Sequence, residues 1–213
     1  MSPTLSDPKR RSRRKHARPA EIVDAALALF TERGFAATRL EDVATHAGIG
    51  KGTIYLYFPT KEDLFRAVVR QRLVPNLDAI EAMIAGHTDS SAELLRRIAA
   101  RAQQLIASDI TAIPKLVLAE SGNFPAIARL YAEEVASRGM AMLEGVIARG
   151  IARGEFRQVD PHDVIPLFIG PILLMALWRH SLGRHTDIQF DPHKVIETHL
   201  GVFLRGLAAE TER

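Results

Sequence analysis

The chain has 213 residues, of which 47% are hydrophobic, with 28 Lys and Arg against 25 Asp and Glu and no Cys. This composition fits one or two compact domains with a hydrophobic core and excludes disorder for most of the chain. Without Cys, the chain has no disulfide, no thiol nucleophile and no cysteine-ligated zinc. The N-terminus lacks the apolar stretch of a secretory signal, so we expect a cytoplasmic protein.

Positive charge is concentrated at the N-terminus. Residues 1–70 carry 13 Lys and Arg against 8 Asp and Glu, a net charge of +5, whereas residues 71–213 carry 15 against 17, a net charge of −2. Seven of the basic residues lie between Lys9 and Arg18. A run this charged predicts a disordered arm, residues 1–17, that is suited to binding a polyanion. A solubilising tail is the alternative interpretation.

Apolar residues recur at helical spacing from Pro19 onward, and no alternating pattern bounded by hairpin turns predicts a strand. We therefore predict an all-α fold whose first helix begins at Pro19. Thr38, with Glu41 three residues later, predicts a capped start for the second helix, and Thr60 repeats that pattern further along the chain.

Residues 38–61 are predicted to form a short helix, a glycine-containing bend and a second short helix over residues 50–57. This is the layout of a helix-turn-helix, in which the second helix enters the major groove of DNA. No carboxylate lies between Asp42 and Glu62, so the second helix would not repel phosphate.

The residue types on that second helix suit DNA contacts. Lys51 can bind a guanine edge or a phosphate, and Gly52 allows a close approach of the backbone. Hydroxyl groups can donate to phosphates from Thr53, Tyr55 and Tyr57, and the two tyrosine rings can also lie against thymine methyl groups. Packing in the protein is the alternative role for the two tyrosines.

Two further cations flank the helix-turn-helix. Lys61 begins the following helix, where backbone N–H groups also favour phosphate. Arg39 follows the predicted cap and is either a phosphate contact or an ordinary solvated arginine.

Two apolar helices are predicted near the C-terminus. The uncharged run over residues 164–178 is too short to span a bilayer and predicts a buried helix rather than a membrane contact. In residues 194–207, apolar side chains form a stripe suited to packing against another helix. On the first of the two, Phe168, Met175 and Trp178 are predicted to line either a dimer interface or a ligand cavity.

The sequence contains no pattern that predicts catalysis. There is no G-x-S-x-G segment, and no pair of histidines has metal-binding spacing with an intervening Glu. We therefore predict neither an enzyme, nor a metal site, nor a cofactor.

The segment GFAATRLEDVATHAGIGKGTIYLYFPTKEDLF resembles the TetR family of bacterial transcriptional regulators, and the resemblance covers residues 18–70. It implies an N-terminal three-helix DNA-binding domain followed by a helical ligand-binding and dimerisation domain, residues 71–213. It also implies a homodimer formed through the last two helices. Gly50 departs from the family pattern, which often has Ser there, and this removes a hydroxyl cap from the recognition helix.

The resemblance further implies a repressor that is released from double-stranded DNA by a small molecule, which we expect to be hydrophobic or amphipathic. The expected operator of such a dimer is an inverted repeat. A protein of another class is the alternative, in which the basic arm binds RNA or a membrane surface and the helix-turn-helix only packs.

Overall fold

The computed structural model describes residues 8–209, with side chains from residue 19 onward, and divides into two compact units between Gln71 and Arg72. The first unit contains four helices within the described residues: α1 (Pro8–Arg33), α2 (Leu40–His46), α3 (Lys51–Tyr57) and α4 (Lys61–Val68). Its core includes three aromatic rings, those of Phe30, Phe35 and Phe65, with ring centroids 5.3 Å, 5.6 Å and 6.0 Å apart. All three side chains are fully buried.

Helix α1 begins earlier than its sequence pattern predicts. The backbone is helical from Pro8, and Pro19, the predicted start, lies inside the helix. Part of the segment expected to be an irregular arm is therefore helical, which fits the high helix propensity of Lys and Arg. The side chains of the basic run and residues 1–7 lie outside the described residues.

The prediction that Thr38 caps α2 is wrong. Thr38 is buried, and its hydroxyl donates to the carbonyl oxygens of Gly34 at 2.8 Å and Leu29 at 3.3 Å. Arg39 is the N-cap residue instead, and its backbone N–H donates to the carboxylate of Asp42 at 3.2 Å. Tertiary burial of the threonine therefore moves the helix start by one residue.

Other local signals are confirmed. Gly34 and Gly48 follow α1 and α2 with positive φ angles of 87° and 65°, the conformation for which glycine is favoured at the end of a helix. Thr60 caps α4 by accepting a hydrogen bond from the backbone N–H of Asp63 at 3.1 Å. The first unit therefore takes its helix boundaries largely from short-range chemistry.

The second unit is also helical, and the all-α prediction is confirmed for the described residues. A π-helical segment, Val69–Leu73, joins α4 to α5, and another, Ala132–Ala136, joins α8 to α9. The helices of this unit are α5 (Val74–Ala85), α6 (Ser91–Ile106), α7 (Ala112–Glu120), α8 (Pro125–Tyr131), α9 (Ser137–Ala152), α10 (Pro161–His180) and α11 (Pro192–Leu207).

Helix α10 has two different faces. Residues including Ile165 and Phe168 are buried in the core of the second unit, as predicted. Leu167 and Leu174 are exposed, which the prediction of a buried helix did not anticipate. The segment Pro161–Arg184 has the length and apolar composition of a membrane span, which core helices of soluble proteins also have. The apolar side chains of α10 therefore lie on two sides of the helix, one buried in the core and one exposed.

Candidate nucleic-acid interface

The bend between α2 and α3 fixes the helix-turn-helix. Gly48 has a positive φ angle, and the backbone N–H of Ile49 donates to the carbonyl of Ala44 at 2.9 Å, which closes the end of α2. Gly50 is the N-cap residue of α3 and makes no side-chain capping bond, as expected from the missing hydroxyl. Ile54 is fully buried and anchors α3 in the unit. The anchor determines which side of α3 faces outward.

The outward face of α3 carries both polar and apolar groups. Lys51, Gly52, Tyr55 and Leu56 are exposed and share one side of the helix, because they are spaced i, i+1, i+4 and i+5. The Lys51 side chain is 71% exposed, Tyr55 is 41% exposed and Leu56 is 84% exposed. Such a surface offers a cation, a phenol and an aliphatic group to an approaching partner.

The other two predicted contacts of α3 lie beside this face. Thr53 is half-buried, and its backbone N–H donates to the carbonyl of Gly50 at 2.8 Å. Tyr57 is exposed at the end of the helix, with its ring centroid 6.5 Å from that of the buried Phe58. The structure thus brings all five predicted residues of α3 onto one seven-residue helix.

A carboxylate from α2 reaches across to α3. Glu41 Oε1 accepts a hydrogen bond from the Tyr55 hydroxyl at 2.9 Å and lies 3.0 Å from Lys51 Nζ. The hydrogen bond from Lys51 is the main cause that lowers the pKa of Glu41 to about 2. The same contacts raise the pKa values of Lys51 and Tyr55. All three side chains therefore hold their usual charges at neutral pH.

Lys61 has acceptors within the unit itself. Its ammonium donates to the carbonyl oxygens of Phe35 at 2.6 Å and Ala36 at 3.1 Å, and it lies 4.5 Å from the centre of the Phe35 ring. These contacts tie the start of α4 to the segment after α1. Contact of Lys61 with phosphate stays a prediction. The same holds for Arg39, which is exposed at the start of α2.

Comparison with known proteins agrees with this geometry. Residues 22–68 match the model of the family described as bacterial regulatory proteins, tetR family, and residues 85–189 match the tetracyclin repressor-like C-terminal domain. The chain belongs to the TetR family. It is a DNA-binding transcriptional regulator with a helical ligand-binding domain.

Relatives of this TetR-family protein match over most of its length. The uncharacterized HTH-type transcriptional regulator YfiR of Bacillus subtilis is 28% identical over 170 residues, which cover 76% of this chain and 78% of the relative. The HTH-type transcriptional repressor KstR2 of Rhodococcus jostii is 26% identical over 196 residues, which cover 92% and 93%. The crystal structure of FadR from Bacillus subtilis in complex with stearoyl-CoA has the same fold. It has a TM-score of 0.72 at 21% identity and covers 88% of this chain and 98% of that one.

Sequence reasoning missed two residues of this candidate interface. Leu56 could have been found, because it lies between the inward-facing Ile54 and Phe58 and must therefore point away from the core. The sequence pattern predicts Glu41 only as part of a helix cap. Its contact with Tyr55 joins residues 14 apart in sequence, and only the packing of α2 against α3 reveals it.

The three candidates on α10 lie in the second unit. Phe168 and Met175 are buried in its core, and the Phe168 ring centroid lies 5.5 Å from that of Phe203. Trp178 is half-buried, with its ring centroid 5.0 Å from that of Phe190. The buried indole nitrogen of Trp178 has no hydrogen-bond partner among the residues that the structure describes. Trp178 therefore carries a buried donor whose hydrogen bond is not made within the described residues.

Proposed function

We propose that this protein acts in the cytoplasm as a repressor that reads its operator with the outward face of α3. The observation that carries the proposal is that face itself, because the buried Ile54 directs a cation, a phenol and an aliphatic side chain outward from a helix without carboxylates. Lys51 reads a base edge, and Gly52 lets the backbone approach the DNA. Leu56 adds an apolar group for thymine methyls.

Phosphate contacts fix the register of α3 on the duplex. The hydroxyl groups of Thr53 and Tyr57 donate to phosphate oxygens, and Arg39 adds a cation at the start of α2. The Tyr55 hydroxyl already donates to Glu41, so Tyr55 contributes its ring, which lies against thymine methyl groups. Lys61 is a weaker candidate, because its ammonium already donates to two carbonyl oxygens.

A gel-shift experiment on the DNA upstream of the protein's own gene tests this proposal. We expect a shift at 200 mM salt that unrelated DNA of the same length does not compete away. Binding without sequence preference, or equal binding to RNA or to anionic lipid vesicles, would contradict it.

We also propose a homodimer formed through α10 and α11. Leu167 on α10 and Val202 on α11 are exposed and border a shallow groove of about 320 Å³, which is lined mainly by apolar residues. Exposed apolar patches of this kind commonly mark protein interfaces. A second copy of the same pair of helices offers a matching apolar surface, which two-fold symmetry requires. Two recognition helices then read an inverted repeat whose half-sites lie about one helical turn apart, or a small multiple of it.

Sedimentation of charged variants tests the dimer. Leu174→Glu places a charge on the open face of α10, and Leu118→Glu is a matched control on α7, since these leucines are 53% and 57% exposed. We expect the first variant to sediment as a monomer and the second to stay dimeric. Monomeric wild-type protein, or a dimer in both variants, would contradict the proposed interface.

We propose further that an amphipathic small molecule releases the repressor from DNA. Phe168, Met175 and Trp178 are spaced seven and three residues apart, which places them along one side of α10. The indole N–H of Trp178 can donate to an oxygen of the ligand, while the apolar side chains contact its hydrocarbon part. The stearoyl-CoA bound to the similar FadR supports this class of ligand.

Thermal denaturation with defined ligands tests the effector class. We expect stearoyl-CoA or stearate to raise the melting temperature and to release the operator in a gel shift, whereas coenzyme A alone does neither. The variant Trp178→Phe keeps an aromatic ring and removes the N–H, so it should weaken this stabilisation. An unchanged melting temperature with both lipids would contradict the amphipathic class.

A further inference from the structure

One carboxylate holds two of the side chains that are proposed to contact DNA. Glu41 lies on α2, and a single oxygen of its carboxylate meets both the Lys51 ammonium and the Tyr55 hydroxyl. Its own side chain is 35% exposed, half as much as that of Lys51. The two α3 side chains are therefore ordered by an acidic group before any DNA is present.

Stability of the fold does not explain this arrangement. Ion pairs on a protein surface contribute little to stability, because water and salt screen them and ordering long side chains costs entropy. An acidic group beside a DNA-binding surface also repels phosphate. The arrangement therefore lowers affinity for DNA in general, and any benefit for DNA binding has to come from a difference between operator and non-operator DNA.

We propose that Glu41 determines specificity by withholding Lys51 and Tyr55 from the phosphates of non-operator DNA. This proposal rests on the DNA-reading role of α3 proposed above. An ammonium has three N–H donors and Glu41 occupies one, so Lys51 can stay beside Glu41 and still donate to a base edge. The Tyr55 ring likewise keeps its position on the outward face of α3. Operator binding therefore preserves the contact.

Non-operator binding gains little from Lys51 while Glu41 is ionised. On non-operator DNA, Lys51 has no matching base edge and can contact only phosphates. When Lys51 moves to a phosphate, it loses its carboxylate partner, and the negative charge of Glu41 is left unpaired near the DNA. In the free protein the hydrogen bond from Lys51 holds the pKa of Glu41 well below its usual value, so DNA meets an ionised carboxylate at this position. Glu41 thus lowers affinity for the wrong DNA more than affinity for the operator.

The variant Glu41→Gln tests the proposal, since it removes the charge and keeps an oxygen that can accept from Tyr55. Freed Lys51 should neutralise one more phosphate on non-operator DNA. The slope of log K against log salt should then steepen by about 0.9, and non-operator affinity should rise about eightfold at 0.1 M salt. Operator affinity should change by less than about twofold, so the ratio of the two affinities falls. The probes are the best duplex selected from a random library and an unrelated duplex of equal length.

Glu32→Gln is the matched control. Glu32 is also in the first unit and pairs with a basic neighbour, Arg33, at 3.5 Å. Glu32→Gln therefore breaks a comparable ion pair and changes the net charge by the same amount as Glu41→Gln. A Glu41→Gln change in the Lys51→Ala background should leave the salt slope unaltered, because the freed cation is missing. Melting temperatures of all variants establish that the fold is intact.

The outcomes separate this proposal from the proposed function. If the wild-type protein prefers the operator and Glu41→Gln keeps the same affinity ratio, or loses all DNA binding while folded, the role of Glu41 is wrong and the operator-reading function stands. An equal loss of specificity in Glu32→Gln would attribute the effect to net charge and also overturn it. If the wild-type protein shows no sequence preference at all, the proposed function itself fails.

Discussion

Gly52→Ala should separate the stability of the fold from DNA binding. Gly52 is the second residue of α3, and it is not one of the described glycines that have a positive φ angle. A Cβ atom built there meets no atom of the protein within 4 Å. Alanine favours a helix over glycine by about 0.5–1 kcal/mol, so the variant should be more stable by up to that amount.

The same methyl group should impair DNA binding, because it projects from the exposed side of α3 where the backbone approaches the groove. Moving the helix outward removes the Lys51 base contact, at a cost of about 1–3 kcal/mol. That range corresponds to a loss of operator affinity of about fivefold to more than a hundredfold.

Urea unfolding and operator titration of the same preparations measure the two effects. Gly139→Ala on α9 is the control, because an added Cβ there also meets nothing within 4 Å and the residue lies in the second unit. We expect it to bind the operator like the wild-type protein. If Gly52→Ala binds the operator as tightly as Gly139→Ala, α3 does not approach DNA through its first turn, and the reasoning is refuted.

Four other perturbations have distinct expected outcomes. Lys51→Ala should relax the preference at one base position per half-site, whereas Tyr57→Phe should weaken all sequences about equally, and titration against an operator library would reveal a reversal of these roles. Deleting residues 1–17, which carry six Lys and Arg, should weaken binding and reduce its salt dependence; a change in the preferred operator would contradict this. Gly150→Ala should lower the free energy of unfolding by about 1–3 kcal/mol, because its Cβ would overlap the buried ring of Phe156, and unchanged urea unfolding would show that the ring moves freely.

Short-range chemistry made much of this fold predictable. Asp160 and Asp191, each followed by Pro, begin α10 and α11, and both carboxylates accept hydrogen bonds from backbone N–H groups in the first turn. Each of these signals lies within four residues of sequence and depends on no distant part of the chain. The family resemblance likewise rested on a continuous segment.

Features that depend on packing were not predictable. Thr38 has the chemistry of a cap, but the fold buries it against the end of α1. Glu41 has the chemistry of a helix start, but the angle between α2 and α3 brings it to Tyr55. In both cases the polar group could either cap a helix locally or bond to a residue that is distant in sequence. Only the tertiary structure determines which of the two contacts forms.

The anchoring of Lys61 affects how genetic screens of this protein would be interpreted. Its ammonium links the start of α4 to the carbonyl groups of Phe35 and Ala36 and lies over the Phe35 ring. A selection for loss of repression would therefore recover changes at residue 61 together with those at true base-reading positions. Such variants should be distinguishable by suppression, because a compensating change near residue 35 can restore the helix packing, whereas no change there can replace a lost contact with DNA.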